Sequence, residues 1–299
     1  MTSRRLATTI AVACLALPGA AMAAPGDDDR GYLDLFAAGV TASGQAADGS
    51  EDADKSGGVF GAALSYDIET GDSLIGFDLA STYYAYSDAG REDRWSNRVA
   101  GSYGHRIGET VRISAIADFT SHASTLESSK ADQTQLRGRL IIEPGPHRFR
   151  LTGGWRWRDY QDRPGESGDG PVIGADYRYR LGKGHFIMIE GQYEKIDATL
   201  ASRSYRRTTA GASYRVNLAE PLSASVGITY RDWSYPGRAV GPDAQHDHSW
   251  SPELGLSWEF ARDWYAELEG TVIWRESNNP AYDETVKRAM FTLRKRFRL

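Results

Sequence analysis

The stretch Arg148–Arg158, RFRLTGGWRWR, repeats with a period of two residues. Its odd positions carry Phe149, Leu151, Trp155 and Trp157, whereas positions 148, 150, 156 and 158 are all arginine. Successive side chains of a β-strand point to opposite faces, while a helix repeats every 3.6 residues. The stretch therefore predicts a strand with one apolar face and one cationic face.

Fourteen stretches of this kind follow one another, and the gaps between them alternate between short and long. The six short gaps are 69–72, 107–109, 143–147, 182–184, 218–221 and 261–263. The seven long gaps are 45–55, 87–93, 121–132, 161–170, 195–202, 234–245 and 277–283. Outer-membrane barrels have short periplasmic turns and longer surface loops. The sequence therefore predicts an all-β fold, a closed antiparallel up-and-down transmembrane β-barrel of about 14 strands.

The N-terminus has the order of a secretory signal peptide. Arg4 and Arg5 precede an uncharged run, and Ala21-Met22-Ala23 supplies the small residues of a cleavage site. We expect a cleaved signal over residues 1–23, a short periplasmic segment over 24–30 and the barrel over 31–299. The only cysteine, Cys14, lies within the signal, so no disulfide is expected.

Composition narrows the class of partner. A formal net charge of -5 argues against nucleic acid. No later run approaches the ~20 consecutive apolar residues that a membrane helix requires. Tryptophans collect at the ends of the apolar rows, where their rings fit the headgroup level of a membrane, so outer-membrane lipid is an expected partner. These residues are Trp95, Trp157, Trp250, Trp258, Trp264 and Trp274.

The polar parity of the strands predicts the lining of the lumen. The candidate pore-lining residues are Arg112, Arg137, Arg139, Arg148, Arg150, Arg156, Arg158, Arg178, Arg180, Glu190, Glu194, Glu253, Glu259, Glu267, Glu269 and Arg294. In one interpretation they form cross-strand ion pairs, for example Arg178 and Arg180 with Glu190 and Glu194. In the other, a basic wall facing an acidic wall sets up a transverse field that orders polar solutes and favours anions near the arginines.

Two short motifs bear on catalysis and metal binding. Ser121 and His122 lie near Asp118, but neighbours along a strand point to opposite faces, so no nucleophile and base are predicted. His246 and His248 project the same way, but no third or fourth ligand is evident. We predict no enzyme activity, no cofactor and no metal.

The final segment, Val286–Leu299, places Ala289, Phe291, Leu293 and Phe297 on one face. It resembles the terminal recognition signal that bacterial outer-membrane barrels present to the barrel assembly machinery, although that signal usually ends in phenylalanine and this chain ends in Leu299. The resemblance implies this machinery as a partner and the outer membrane of a Gram-negative bacterium as the location.

By strand number and length, the chain resembles the small monomeric outer-membrane porins with 14 strands. That resemblance implies a channel for passive or weakly selective diffusion of small polar or anionic solutes. Segments 230–232 and 276–282 resemble the barrel of the surface lipoprotein assembly modifiers, without their helical repeat domain. The alternative function is then translocation or assembly of a surface protein, with a periplasmic or surface protein as partner.

Overall fold

The computed structural model describes residues 31–43, 56–87, 92–123 and 131–299. Its strands are β1 Gly31–Ser43, β2 Gly57–Thr70, β3 Ser73–Tyr86, β4 Arg94–Ile107, β5 Val111–Ala123, β6 Ala131–Ile142, β7 His147–Asp159, β8 Gly168–Gly182, β9 His185–Ala198, β10 Tyr205–Ala219, β11 Leu222–Val240, β12 Asp243–Ala261, β13 Trp264–Ser277 and β14 Glu284–Arg298. Short 3-10 turns occur at Pro164–Glu166, Ala201–Arg203 and Pro280–Tyr282. No helix in the described ranges is long and apolar enough to cross a membrane.

The fourteen strands form one closed antiparallel barrel in which each strand pairs with its neighbours in sequence. The first and last strands close it, with a register that runs from Tyr32 opposite Arg298 to Ser43 opposite Lys287. Because the barrel is closed, none of the fourteen described strands is an edge strand with unpaired backbone groups. A span through hydrocarbon requires such complete pairing. The predicted fold class is confirmed.

The six predicted short connections all lie at one end of the barrel, which we call the turn end. The opposite end, the loop end, carries the other connections. The predicted signal over 1–23, the segment over 24–30 and most of the predicted loops at 45–55, 87–93 and 121–132 lie outside the described residues, and these boundaries stay predictions.

One predicted loop is wrong. Residues 234–245 do not form a long loop, because β11 continues to Val240 and β12 begins at Asp243. A tight turn joins the two strands at Gly241, whose φ of 62° lies in the left-handed region that favours glycine. The resulting hairpin is held against the 3-10 turn before β10, because the Arg238 guanidinium donates to the Ser202 carbonyl at 2.7 Å.

The outer face is apolar and is bordered by aromatic residues at both ends. Exposed apolar side chains such as Leu254, 66% exposed, and Ile173 cover the middle of the strands. Toward the loop end this face carries Tyr83, Trp95, Trp155, Trp157, Tyr193, Tyr230, Trp250 and Trp274. Toward the turn end it carries Tyr66, Tyr103, Phe149, Tyr177, Tyr179, Trp258, Phe260, Trp264 and Phe297. These are the interfacial girdles of a transmembrane barrel.

Contacts that skip a strand identify the inner face. The Arg156 guanidinium on β7 reaches the Glu194 carboxylate on β9, and Arg158 on β7 donates to the Tyr205 hydroxyl on β10. Such contacts form only across the concave side of a closed sheet. The inward side chains near the loop end pack on one another; Ile196, Tyr205, Trp233 and Tyr235 form one buried cluster there.

Candidate pore lining

The predicted arginines of β5 to β8 face inward, and six of them form a basic wall in the half of the lumen near the turn end. Arg112, Arg139, Arg148 and Arg178 are partly exposed on this wall, and Arg180 is exposed. The carboxylates in direct contact with it are few: Arg150 pairs with Asp176, and Arg148 lies 3.8 Å from Glu143. This wall therefore presents more positive than negative charge to the lumen.

The predicted glutamates of β9, β12 and β13 lie on another part of the inner face. Glu190 and Glu253 border a recess whose floor is formed by Gly211, Ser213 and Thr229. Glu269 is also inward and partly exposed. Because glycine and small hydroxyl side chains leave room between the two carboxylates, both stay accessible to water in the lumen.

Glu259 and Glu267 have more local partners. Glu259 accepts a hydrogen bond from the Asp263 amide at 3.0 Å, beside the turn that joins β12 and β13. Glu267 accepts from Arg294 at 2.7 Å. Arg294 also approaches Asp34 at 3.4 Å, and Asp34 accepts two hydrogen bonds from Arg296 at 2.9 and 2.8 Å. These four side chains join β13, β14 and β1, the strands at which the barrel closes.

The proposed pairing of Arg178 and Arg180 with Glu190 and Glu194 is wrong. The register places Met188 opposite Arg178 and Phe186 opposite Arg180, so both arginines lie nearer the turn end than either glutamate. Arg178 instead lies over the Phe186 ring at 5.7 Å. The tight turn at Lys183–Gly184 and the irregularity between Arg180 and Gly182 set this register.

Glu194 is completely buried among arginines. Its carboxylate receives Arg156 and the Tyr205 hydroxyl in short hydrogen bonds, and it lies 3.5 Å from Arg158 and from Arg207. Arg137, also a predicted lining residue, pairs with Asp118 at 2.6 Å. The predicted lining residues therefore divide into two sets: residues exposed to the lumen near the turn end, and residues packed in buried ion pairs near the loop end.

A second buried pair lies near the loop end. Asp247 is fully buried and accepts from Arg275 at 2.9 Å and from Gln245 at 3.2 Å. The Arg275 guanidinium also lies 5.1 Å from the Trp233 ring centre. Sequence reasoning did not select Asp34, Asp176 or Arg275 as lining residues. The alternation of the strands could have identified these three residues, because each lies an even number of positions from another inward-facing residue on the same strand.

The motif with Ser121 does not assemble a catalytic group. Asp118 faces the lumen and is bonded to Arg137, whereas the Ser121 hydroxyl accepts from the Asn97 amide at 3.1 Å on the outer face. The His122 ring contacts the Trp95 carbonyl at 2.9 Å. The serine, histidine and carboxylate are therefore bonded to three different neighbours.

The two histidines of β12 lie on the outer face at the loop end. His246 bonds to Asp232 at 2.9 Å, and His248 lies 3.3 Å from Glu276. Within the described ranges, no three histidine, cysteine or acidic side chains converge so that they hold a metal ion.

The closed sheet, the girdled apolar outer face and the charged interior define a β-barrel of the bacterial outer-membrane type. A sequence profile described as TonB dependent receptor-like, beta-barrel matches residues 20–275. The chain belongs to that family. No curated protein matches the sequence.

Solved outer-membrane structures share the fold. The outer membrane channel DcaP of Acinetobacter baumannii is 9% identical, with a TM-score of 0.54, over 89% of this chain and 96% of that one. Outer-membrane expressed OmpT of Vibrio cholerae is 10% identical, with a TM-score of 0.54, over 91% of this chain and 99% of that one. At these identities the likeness concerns the fold. A similarity to the lipoprotein assembly modifiers is not shown.

Proposed function

We propose that the protein is a channel in the outer membrane of a Gram-negative bacterium, through which small polar or anionic solutes diffuse. The observation that carries this proposal is the inner face, on which charged side chains remain exposed along the turn-end half of the barrel instead of packing into an apolar core. A barrel that served only as a scaffold has no need of exposed charge on its inside.

The likeness in fold to DcaP, which is described as an outer membrane channel, supports the proposal. The family to which the chain belongs is itself defined by a β-barrel. In this proposal the loop end faces the cell exterior and the turn end faces the periplasm, as in other barrels of this type.

Neighbouring residues on β10 permit a sharp test. Thr209 faces inward and Ala210 faces outward. Because the only cysteine of the chain, Cys14, lies in the predicted signal peptide, Thr209→Cys and Ala210→Cys each give a mature protein with a single thiol. The protein is reconstituted in planar bilayers, and its conductance is recorded before and after addition of a charged methanethiosulfonate reagent.

We expect the reagent to lower the conductance of Thr209→Cys and to leave Ala210→Cys unchanged, since only the first thiol faces the water path. Heat-unfolded protein serves as the control for adventitious current. A folded protein that never conducts, or an equal effect of the reagent on both variants, contradicts the channel.

Translocation of a surface protein is the alternative, and it rests on the resemblance of residues 230–232 and 276–282 alone. In the structure, Asn278 caps the edge of β12, because its side chain accepts from the His246 amide at 3.0 Å and donates to the Ala244 carbonyl at 2.8 Å. This structural use accounts for an asparagine in that segment. A deletion strain that displays all its surface proteins normally argues against the alternative.

A further inference from the structure

Three groups of ion pairs on the inner face can be compared by charge. The closure cluster contains Asp34, Glu267, Arg294 and Arg296, two carboxylates for two guanidiniums. The Asp247 cluster pairs one carboxylate with Arg275. The Glu194 cluster gathers Arg156, Arg158 and Arg207 around one carboxylate. Of these three clusters, the third joins three guanidiniums to a single acid.

The Glu194 cluster carries an excess of positive charge even when Arg207, which has further interactions, is left out. Arg156 and Arg158 together bring two charges to the single charge of Glu194. Arginine does not lose its proton in proteins, so the excess is not removed by titration. Asp118, another buried acid of the inner face, is already paired with Arg137.

Hydrogen-bond donors are also in excess. One guanidinium has five N–H donors, and the Glu194 carboxylate has two oxygens, one of which already receives the Tyr205 hydroxyl. Arg158 uses other donors on Gln133 and Tyr205. Arg156 donates to Glu194, but its Nε is buried without a hydrogen-bond partner. Its side chain keeps 11% of its surface exposed.

Arg156 on β7 reaches across β8 to Glu194 on β9. Gly170 lies opposite Arg156 in the register, and a Cβ built there comes 1.9 Å from the Lys195 carbonyl oxygen. A larger residue is therefore excluded from the position over which the guanidinium passes. Glu194 holds the guanidinium through one terminal nitrogen, and 11% of the Arg156 side chain remains exposed. A guanidinium in this setting is suited to a carboxylate or a phosphate.

We infer that the Glu194 cluster is an anion-binding site at the loop end of the lumen, where Arg156 binds the carboxylate or phosphate group of a passing solute and Glu194 positions it. The inference rests on the proposed channel and deepens it, because it locates anion recognition in the packed half of the lumen and not on the wet basic wall near the turn end.

The test compares Arg156→Gln with Arg180→Gln, each of which removes one inward arginine. Arg180 lies on the exposed basic wall near the turn end and has no part in the Glu194 cluster. Single channels are recorded in chloride solution while inorganic phosphate, or in a separate series succinate, is added. We expect transient block by at least one of the two probes. Arg156→Gln is expected to raise the half-blocking concentration about tenfold or more, as for the loss of one or two charge-assisted hydrogen bonds, and Arg180→Gln less than threefold.

Each result separates the two proposals. A protein that conducts but is blocked by neither probe overturns the anion site and leaves the channel standing, as does an equal loss of block in both variants. A protein that does not conduct removes the channel itself. If Arg156→Gln fails to fold, Glu194→Gln provides the second test. It keeps the side-chain volume and frees the arginines, so we expect a higher chloride-to-potassium permeability ratio than in the wild type, and an unchanged or lower ratio overturns the inference.

Discussion

Replacing Asp34 with asparagine tests whether the ion cluster at the closure of the barrel stabilises the fold. The Asp34 carboxylate accepts two hydrogen bonds from Arg296 at 2.9 and 2.8 Å and lies 3.4 Å from Arg294. The Asp34 side chain is 10% exposed and that of Arg296 is 22% exposed, so water replaces these bonds only in part. Asparagine keeps the shape of the side chain but removes its charge, and Glu267 is then the only carboxylate in the cluster for two arginines.

The magnitude follows from these contacts. Breaking a fully buried ion pair by removing one partner costs about 3–5 kcal/mol, and a hydrogen bond to a charged group contributes about 1.5–3 kcal/mol. Because the cluster is partly exposed and asparagine retains one acceptor oxygen, we expect Asp34→Asn to lower the free energy of unfolding by about 2 kcal/mol.

The free energy of unfolding is measured by urea titration of the protein in lipid vesicles, followed by tryptophan fluorescence and by the mobility of the folded band on a gel. Asp72→Asn is the matched control. Asp72 lies in the exposed turn between β2 and β3, where its backbone carbonyl, which the substitution leaves in place, accepts from the Arg106 amide at 2.7 Å. We expect the control to change the free energy by less than about 0.5 kcal/mol. If the two variants unfold at the same urea concentration, the closure cluster does not stabilise the barrel.

Three other changes address the outer face and the loop end. Leu254 lies midway between Trp250 and Trp258 on the lipid side, so Leu254→Arg is expected to cost about 2–4 kcal/mol in vesicles, with Leu254→Met as a near-neutral control. Tyr235 is 1% exposed and lies beneath the Arg238 guanidinium at 3.9 Å, so Tyr235→Ala is expected to loosen the hairpin and expose 236–244 to limited proteolysis while the barrel remains folded. Gly241→Val forces a branched side chain into a φ of 62°, and we expect a loss of about 1–2 kcal/mol or local rearrangement, visible as faster cleavage at the turn than in Gly71→Ala at the other end.

Most of the fold was predictable from the sequence because a membrane barrel repeats one simple rule. Each strand must place an apolar residue against lipid at every second position. The alternating pattern therefore predicts the strand number, the two faces and the six short turns. The loop at 234–245 was not predictable in this way. Its residues lie beyond Tyr230 and Trp250 of the loop-end girdle, and their pairing depends on Gly241 and on the contact of Arg238 with Ser202.

For the candidate lining residues, the sequence predicts only the face of the sheet on which each side chain lies. Parity selects the side of the sheet on which Arg178 and Glu194 lie, but it does not say which residues are level with each other across the strands. The register of the strands and the closure of the barrel determine which residues are level. As a result, Glu194 on β9 lies away from Arg178 on β8 and beside Arg156 on β7.

The sequence by itself determined that this chain forms an antiparallel transmembrane barrel with a charged interior, because an alternating pattern is a local property that each strand carries alone. Only the tertiary structure decided which charges are paired, which are buried and where positive charge is left in excess. Those are properties of the closed sheet: its curvature brings β7 within reach of β9 and β10, and its seam brings Asp34 to Arg296, 262 positions away along the chain.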